Sequence, residues 1–193
     1  MIGSGSSADK GVLRRTFLAR RAALGAAAVA AAGPALATAL GPVLDDARTV
    51  AAYLSTGTEP PTGPLLEALT GRRVLLPVLR PDADLDWAEW AGVTQPGLRG
   101  TTEPPGARLG VDAIGECDVV IVPALAVDER GVRLGRGGGG YDRALLRTRG
   151  TVVALLHDGE LVDRLPEEPH DVRVDAAATA AAGLFRLSSK MHP

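Results

Sequence analysis

Cysteine and lysine are nearly missing from this chain. Its one cysteine, Cys117, excludes an internal disulfide and a thiolate metal cluster, and a lone thiol of this kind reads as a small buried hydrophobe. Only Lys10 and Lys190 are lysines, so almost all positive charge is arginine, a bias from which nothing catalytic follows. Aromatics make up 3% of the 193 residues, so the apolar volume of a core has to come from Val, Leu and Ala. A formal net charge of −2 lacks the concentrated positive surface that nucleic-acid binding needs to release counterions, and leaves local arginine clusters for a small anionic ligand. The three histidines show no zinc spacing.

Long runs of large apolar side chains are also scarce. LRRTFLARRAALGAAAVAAAGPALATAL (13–40) has a twin arginine followed by Phe17 and Leu18, then an alanine-rich stretch with Ala35-Leu36-Ala37, the outline of an export signal. Its apolar part is mostly alanine, is interrupted by Gly25, Gly33 and Pro34, and is too short to span a bilayer. Alanine is the strongest helix former, so the segment reads better as helix packed within a fold. The length suits one domain over residues 1–193.

Residues 9–24 and 34–54 read as helices separated by a break at Gly33-Pro34, and 64–70 as a short helix. RRVLLPVL (72–79), CDVVIVPAL (117–125) and TVVALLH (151–157) are continuous apolar runs, as expected of strands buried on both faces. The stretch 80–110, rich in Pro, Gly and Asp, reads as a long ordered excursion. DERGV (128–132) is a turn, and YDRALLRTR (141–149) has a helical pattern. Buried strands alternating with helices predict an α/β layered fold with a mainly parallel sheet.

RLGRGGGGYDRALL (133–146) puts five glycines into the six positions from Gly135 to Gly140. A loose linker does not suit a run set between a strand and a helix with no Ser-, Pro- or charge-rich extension. Gly135, Gly137 and Gly140 satisfy G-x-G-x-x-G with Asp158 at ribose distance, but a turn separates them from the preceding long strand, unlike a dinucleotide fold. A phosphate-loop NTPase needs Lys-Ser/Thr where Tyr141-Asp142 stand. What remains is a nest of backbone N–H groups for an anion at a helix start, reinforced by Arg133 and Arg136. Asp142 would repel a phosphate there unless a cation such as Mg²⁺ lies between them; a simple N-cap is the alternative.

Weaker candidates flank this block. Lys10 and Arg14 stand four apart on one helical face, either a phosphate grip or a solvated basic surface. Glu59, before Pro60 and Pro61, is placed to fix the polar end of a ligand or to be an inert loop carboxylate. HDVRVD (170–175) offers Asp171 as a second metal carboxylate or as part of an ordinary turn.

Taken in order, Lys10-x-x-x-Arg14, Tyr53 to Glu59, VLLP (74–77), Glu103-Pro104, DVVIVPALAVD (118–128), RLGRGGGGYDRAL (133–145) and LPEEPHDVRVD (165–175) resemble the 5-formyltetrahydrofolate cyclo-ligases, also called 5,10-methenyltetrahydrofolate synthetases. The resemblance implies a three-layer αβα fold similar to the ribose-5-phosphate isomerase and coenzyme A transferase group. It implies an ATP- and Mg²⁺-dependent conversion of 5-formyltetrahydrofolate to 5,10-methenyltetrahydrofolate with release of ADP and phosphate. Lys10, Arg14, Arg133, Gly135, Arg136, Gly137, Gly138, Gly139, Gly140, Tyr141 and Asp142 would hold ATP, Leu54 and Glu59 the folate, and Asp142 and Asp171 the Mg²⁺, with Arg136 and Tyr141 as catalytic residues. It also implies a cytoplasmic protein acting on a small molecule, with no nucleic-acid or membrane partner, as a monomer or weak dimer. Cleavage after Ala37 would discard Lys10 and Arg14.

The chain departs from that pattern at two places. Gly140 stands where the family usually has the first of two tyrosines, and Pro60 where an acidic residue usually follows the glutamate. Gly140 leaves open a second reading, a non-catalytic member of the family that binds nucleotide or folate. A third, an exported α/β domain, rests on residues 13–37 alone.

Overall fold

The computed structural model describes residues 7–187. Along the chain, α1 (Ser7–Ala22), α2 (Ala26–Ala39) and the short α3 (Gly41–Leu44) precede β1 (Thr49–Ala51), and α4 (Gly63–Ala68) leads into β2 (Arg73–Leu79) and β3 (Leu85–Glu89). A small hairpin, β4 (Gln95–Pro96) and β5 (Thr102–Glu103), comes before β6 (Val119–Pro123), β7 (Ala126–Asp128), β8 (Arg133–Leu134) and α5 (Gly140–Leu145). The chain closes with β9 (Thr151–Leu155), β10 (Leu161–Val162), β11 (Ala176–Thr179) and β12 (Gly183–Arg186).

The central sheet has seven strands in the order β12-β11-β9-β6-β1-β2-β3. Its five inner strands are parallel, and the edges β3 and β12 are antiparallel. The VVIV run of β6 shows why an unbroken apolar segment belongs here. Successive side chains point to opposite faces, so Val119 and Ile121 join Leu36, Leu40 and Leu65 on one side, while Val120 and Val122 join Ile114 and Leu145 on the other. Leu36 is almost wholly buried, and cutting it to alanine would cost about 2–5 kcal/mol. A mixed α/β fold with a mainly parallel sheet is therefore as expected.

Several boundaries differ from the sequence reading. The helical break falls at residues 23–25, not at Gly33-Pro34, and the chain there turns by 101°. Pro34 lies inside α2. The residue before it is glycine, which has no Cβ to clash with the proline ring. That missing Cβ also lets the helix approach α4, for a methyl at Gly33 would sit 3.0 Å from Pro64 Cγ. Among the described residues no single helix is long and apolar enough to cross a membrane. The expected helix 34–54 stops before β1, whose three residues are too few to show a period.

The excursion 80–110 contains the edge strand β3, disguised by Asp84 and Asp86. Asp86 is tolerated because its Oδ1 accepts hydrogen bonds from the amides of Trp87 at 2.7 Å and Gly110 at 2.8 Å. The alanine-rich β11 is a strand by tertiary context against helix propensity, and α5 ends at Leu145 where 149 was expected.

α1 is tied into the fold by its apolar and its charged faces. Phe17 packs with Leu125, Leu134 and Leu165 around a second, three-stranded sheet, β10-β7-β8. Arg21, 1% exposed, donates to Glu160 at 2.6 and 2.7 Å and to the Ala124 carbonyl at 2.5 Å. Removing Glu160 would strand a buried guanidinium, at a cost of about 3–5 kcal/mol. Cys117 is buried, and that burial pushes its thiol up to about 12, an inert core residue as expected.

Candidate active site

Tyr53 follows β1, Pro123 ends β6 and His157 follows β9, so three adjacent parallel strands deliver residues to one edge of the sheet, their carboxyl ends. Ligands of open α/β sheets bind at that edge. Two cavities open there. The first, about 300 Å³, is lined by the whole run Gly135–Gly140 with Arg21, Arg99, Arg133 and Asp142. The second, about 200 Å³, is lined by Tyr53, Leu54, Leu76, Thr101 and Thr102. Glu59, Leu79, Leu85, Pro123 and Tyr141 line both.

The glycine loop joins β8 to α5. Gly137 and Gly139 have φ of +96° and +69°, the left-handed region that side chains rarely adopt. A Cβ on Gly137 would lie 3.3 Å from the guanidinium carbon of Arg14, which donates through Nε to the Gly135 carbonyl at 3.0 Å. The backbone N–H groups of Gly137, Gly138 and Gly139 make no hydrogen bond among the described residues. With α5 only six residues long, these free amides, more than a helix dipole, make the loop a receptor for oxyanions.

Asp142, in the first turn of α5, lines the first cavity beside Arg133, whose Nη2 donates to Oδ1 at 2.6 Å. The cation that the sequence reading asked for next to this carboxylate is thus partly supplied by the protein itself. The second oxygen of Asp142 has no partner among the described residues, which fits a hard divalent cation held by one carboxylate and ligand phosphates. Asp171 does not line either cavity. Its Oδ2 takes the Lys10 ammonium at 2.5 Å and the Glu168 amide at 2.7 Å. Glu168, His170 and Asp171 group their donor atoms within 4.8 Å, but Lys10 already sits between Glu168, at 2.9 Å, and Asp171. Burial alone would lower the Lys10 ammonium, yet the hydrogen bonds to Asp171 and Glu168 outweigh it and hold the group above its ordinary value.

Lys10 therefore departs from its expected place in the loop. It is 4% exposed and, like Arg14, is absent from the linings of these two cavities, but Arg14, its helical neighbour, bonds the glycine run. The other expected residues converge. Arg136 Nε meets Glu59 Oε1 at 3.2 Å, and Glu59 Oε2 accepts from the Thr56 amide at 2.8 Å. Leu54 and Glu59 lie on the second cavity and Tyr141 on the wall between the two. The Arg133 guanidinium stands 5.8 Å from the centre of the Tyr141 ring. Burial, only partly countered by Arg133, pushes the Tyr141 phenol well above its ordinary range, and its hydroxyl has no hydrogen-bond partner among the described residues. At Gly140 an added Cβ would lie 3.1 Å from the Ala83 carbonyl and 3.3 Å from Leu85 Cγ, so β3 crowds the place of a side chain.

Sequence reasoning assigned no role to Arg21, Arg99 or the Thr101-Thr102 pair, and named Tyr53 only as the start of the stretch that runs to Glu59. Arg21 was hidden in a segment that looked like an export signal, and Tyr53 at the end of an over-long helix. Arg99 and the threonines lie in the excursion 80–110, where no local pattern pointed to the cavities.

A family model described as the 5-formyltetrahydrofolate cyclo-ligase family matches residues 6–180. A 5-formyltetrahydrofolate cyclo-ligase of Mycolicibacterium smegmatis is 45% identical over 150 residues, 72% of this chain and 77% of that protein. One from Escherichia coli K12 is 38% identical over 143 residues, 69% of this chain and 78% of its own length. The solved structure of Aquifex aeolicus 5,10-methenyltetrahydrofolate synthetase superposes with a TM-score of 0.77 at 26% identity, covering 95% of each chain. A cavity walled by glycine amides and arginines, an adjoining apolar cavity, and these matches along most of the length together place the chain in the 5-formyltetrahydrofolate cyclo-ligase family.

Proposed function

We propose that this chain closes the ring of 5-formyltetrahydrofolate at the expense of ATP, giving 5,10-methenyltetrahydrofolate, ADP and phosphate. One observation carries the reading. A loop of unpaired glycine amides walls one cavity, a mostly apolar cavity adjoins it, and Glu59 and Tyr141 stand on the shared wall. A triphosphate in the first and a reduced pterin in the second bring the terminal phosphoryl group to the formyl oxygen.

The chemistry asks mainly for positioning and charge neutralisation. The formyl oxygen, a poor leaving group, takes the terminal phosphoryl group as its bond to ADP breaks. N10 then attacks the formyl carbon, its proton is lost, and the carbon–oxygen bond breaks to release phosphate. The loop amides and Arg14 hold the phosphate chain, Arg133 and Arg136 offset charge that builds on the transferring group, and the Tyr141 hydroxyl, whose burial favours the protonated phenol, donates into the reaction zone. Leu54 packs on the heterocycle and Glu59 fixes its polar edge. Asp142 would hold Mg²⁺, which supplies neutralisation of the phosphate oxygens. Lys10 and Asp171 act one step back, by fixing α1 and the 165–175 segment against each other.

The retention of α1 in the fold through Phe17 and Arg21 supports a cytoplasmic protein that keeps this helix. The same reading extends to a single domain over 1–193, a layered fold akin to the ribose-5-phosphate isomerase and coenzyme A transferase group, and a monomer or weak dimer. The test is spectroscopic. Purified protein with 5-formyltetrahydrofolate, ATP and Mg²⁺ is expected to generate the near-ultraviolet absorbance of the methenyl product, and to do so only when ATP is present. Ligand binding without that absorbance would turn the reading toward a non-catalytic member.

A further inference from the structure

Between β1 and α4 the chain makes a loop, residues 55–62, that carries Glu59. Ser55 and Thr62 clasp its base by reciprocal bonds, Thr62 Oγ1 accepting from the Ser55 amide at 3.0 Å and Ser55 Oγ from the Thr62 amide at 3.1 Å. Its tip is closed by Glu59 on the Thr56 amide. These contacts give the loop a shape, and its far end is fixed where Pro61 packs near Gly33 of α2 and Thr62 Oγ1 donates to the Tyr53 carbonyl at 2.7 Å. Nearer Glu59, among the described residues, two polar contacts reach it from distant elements. One is Arg136 to Glu59, made by a side chain 53% exposed on the glycine loop, which the proposed reaction also needs for its phosphate. The other is His157, whose Nε2 lies 3.0 Å from the Thr58 carbonyl.

His157 is suited to holding something still. It is 6% exposed at the end of a central strand, and its own backbone N–H donates to Glu160 Oε2 at 2.8 Å. Glu160 is locked in turn by Arg21, which lines the first cavity. A carbonyl can only accept, so Nε2 carries the proton, and the bond survives in the neutral ring and in the cation alike. The residue is therefore a fixed anchor rather than a switch. We infer that His157 is a positioning residue for the 5-formyltetrahydrofolate side of the site: by gripping the Thr58 carbonyl it sets Glu59 on the wall between the two cavities.

This rests on the functional reading above, and the experiment separates the two. Steady-state constants for both substrates and calorimetric affinity for 5-formyltetrahydrofolate are measured on the unaltered protein and on His157→Leu, His157→Asn and His157→Gln. Gln presents an amide donor at about the reach of Nε2, Asn falls short, and Leu offers none. Loss of one neutral hydrogen bond predicts that Leu and Asn raise KM and Kd for the folate about fivefold while the KM for ATP stays within about twofold, and that Gln restores most of the loss. Asn, polar and compact, serves where Leu does not fold. Unchanged folate constants in Leu or Asn, equal rises in both KM values, or no rescue by Gln would overturn the inference while leaving the reaction standing. An unaltered protein that neither turns over nor binds 5-formyltetrahydrofolate would overturn both.

Discussion

The two cavities share a wall and both draw on distant stretches of chain, but their recognition surfaces are assembled differently. The first adds to Arg21, Arg99 and Pro123 a run of six consecutive residues, Gly135–Gly140, with Tyr141 and Asp142 directly after them. The second gathers Tyr53, Leu76, Leu85, Thr101, Pro123 and Tyr141 from six separate stretches of chain. Recognition of a phosphate chain needs closely spaced donors on a backbone free of side chains, which a contiguous run supplies. Recognition of a flat heterocycle needs apolar faces on both sides with a few polar groups at the rim, which only converging elements provide. Damage to the first cavity should therefore be local and severe, and damage to the second graded and shared among its walls.

The largest expected break is Asp142→Asn. The amide keeps an acceptor for Arg133 but removes the charge at the phosphate end. Turnover should fall by about a hundredfold or more with the melting temperature nearly unchanged, as for loss of a charge-stabilising group in a transition state. Comparable activity in both proteins would show that Arg133 alone meets the need. Next comes Gly137→Val. Its φ of +96° and the Arg14 guanidinium at 3.3 Å oppose any side chain, so the KM for ATP should rise about tenfold or more while affinity for 5-formyltetrahydrofolate holds. An equal effect on both ligands would deny that the cavities are separable.

The same contrast explains what could be read beforehand. The glycine run with Arg133 and Asp142 was legible because its residues meet in space for the reason that they are neighbours in sequence. The strands β2, β6 and β9 were legible because burial on both faces leaves an unbroken apolar run. β3 was not, since Asp84 precedes it and Asp86 breaks its pattern, and one of the two amides that satisfy Asp86, that of Gly110, lies 24 residues away. Lys10 was placed on the right helix beside Arg14, but which of the two meets the loop depends on the rotation of α1. That rotation is fixed by Phe17 and Arg21 against segments that lie far off in sequence. No spacing rule along the chain carries such information.

The smallest effect tests the graded side. Tyr53 is 3% exposed, and its hydroxyl has no hydrogen-bond partner among the described residues. An unpartnered buried hydroxyl costs stability, so Tyr53→Phe should stabilise the free protein by about 1 kcal/mol, read as a rise of a few degrees in melting temperature. The pH dependence sharpens this. Burial first, and then the Glu59 charge, hold the Tyr53 phenol well above its ordinary value of 10.0. Above that value the unfolded chain ionises the phenol while the folded chain does not, so this titration leaves folding stability untouched below pH 10.0 and lowers it as the pH rises toward the folded value. The phenylalanine variant should lose stability less steeply through that alkaline range. A lower melting temperature at neutral pH would mean that the hydroxyl is bonded in the free protein, and the wall of the second cavity would then be set by a polar contact instead of by packing alone.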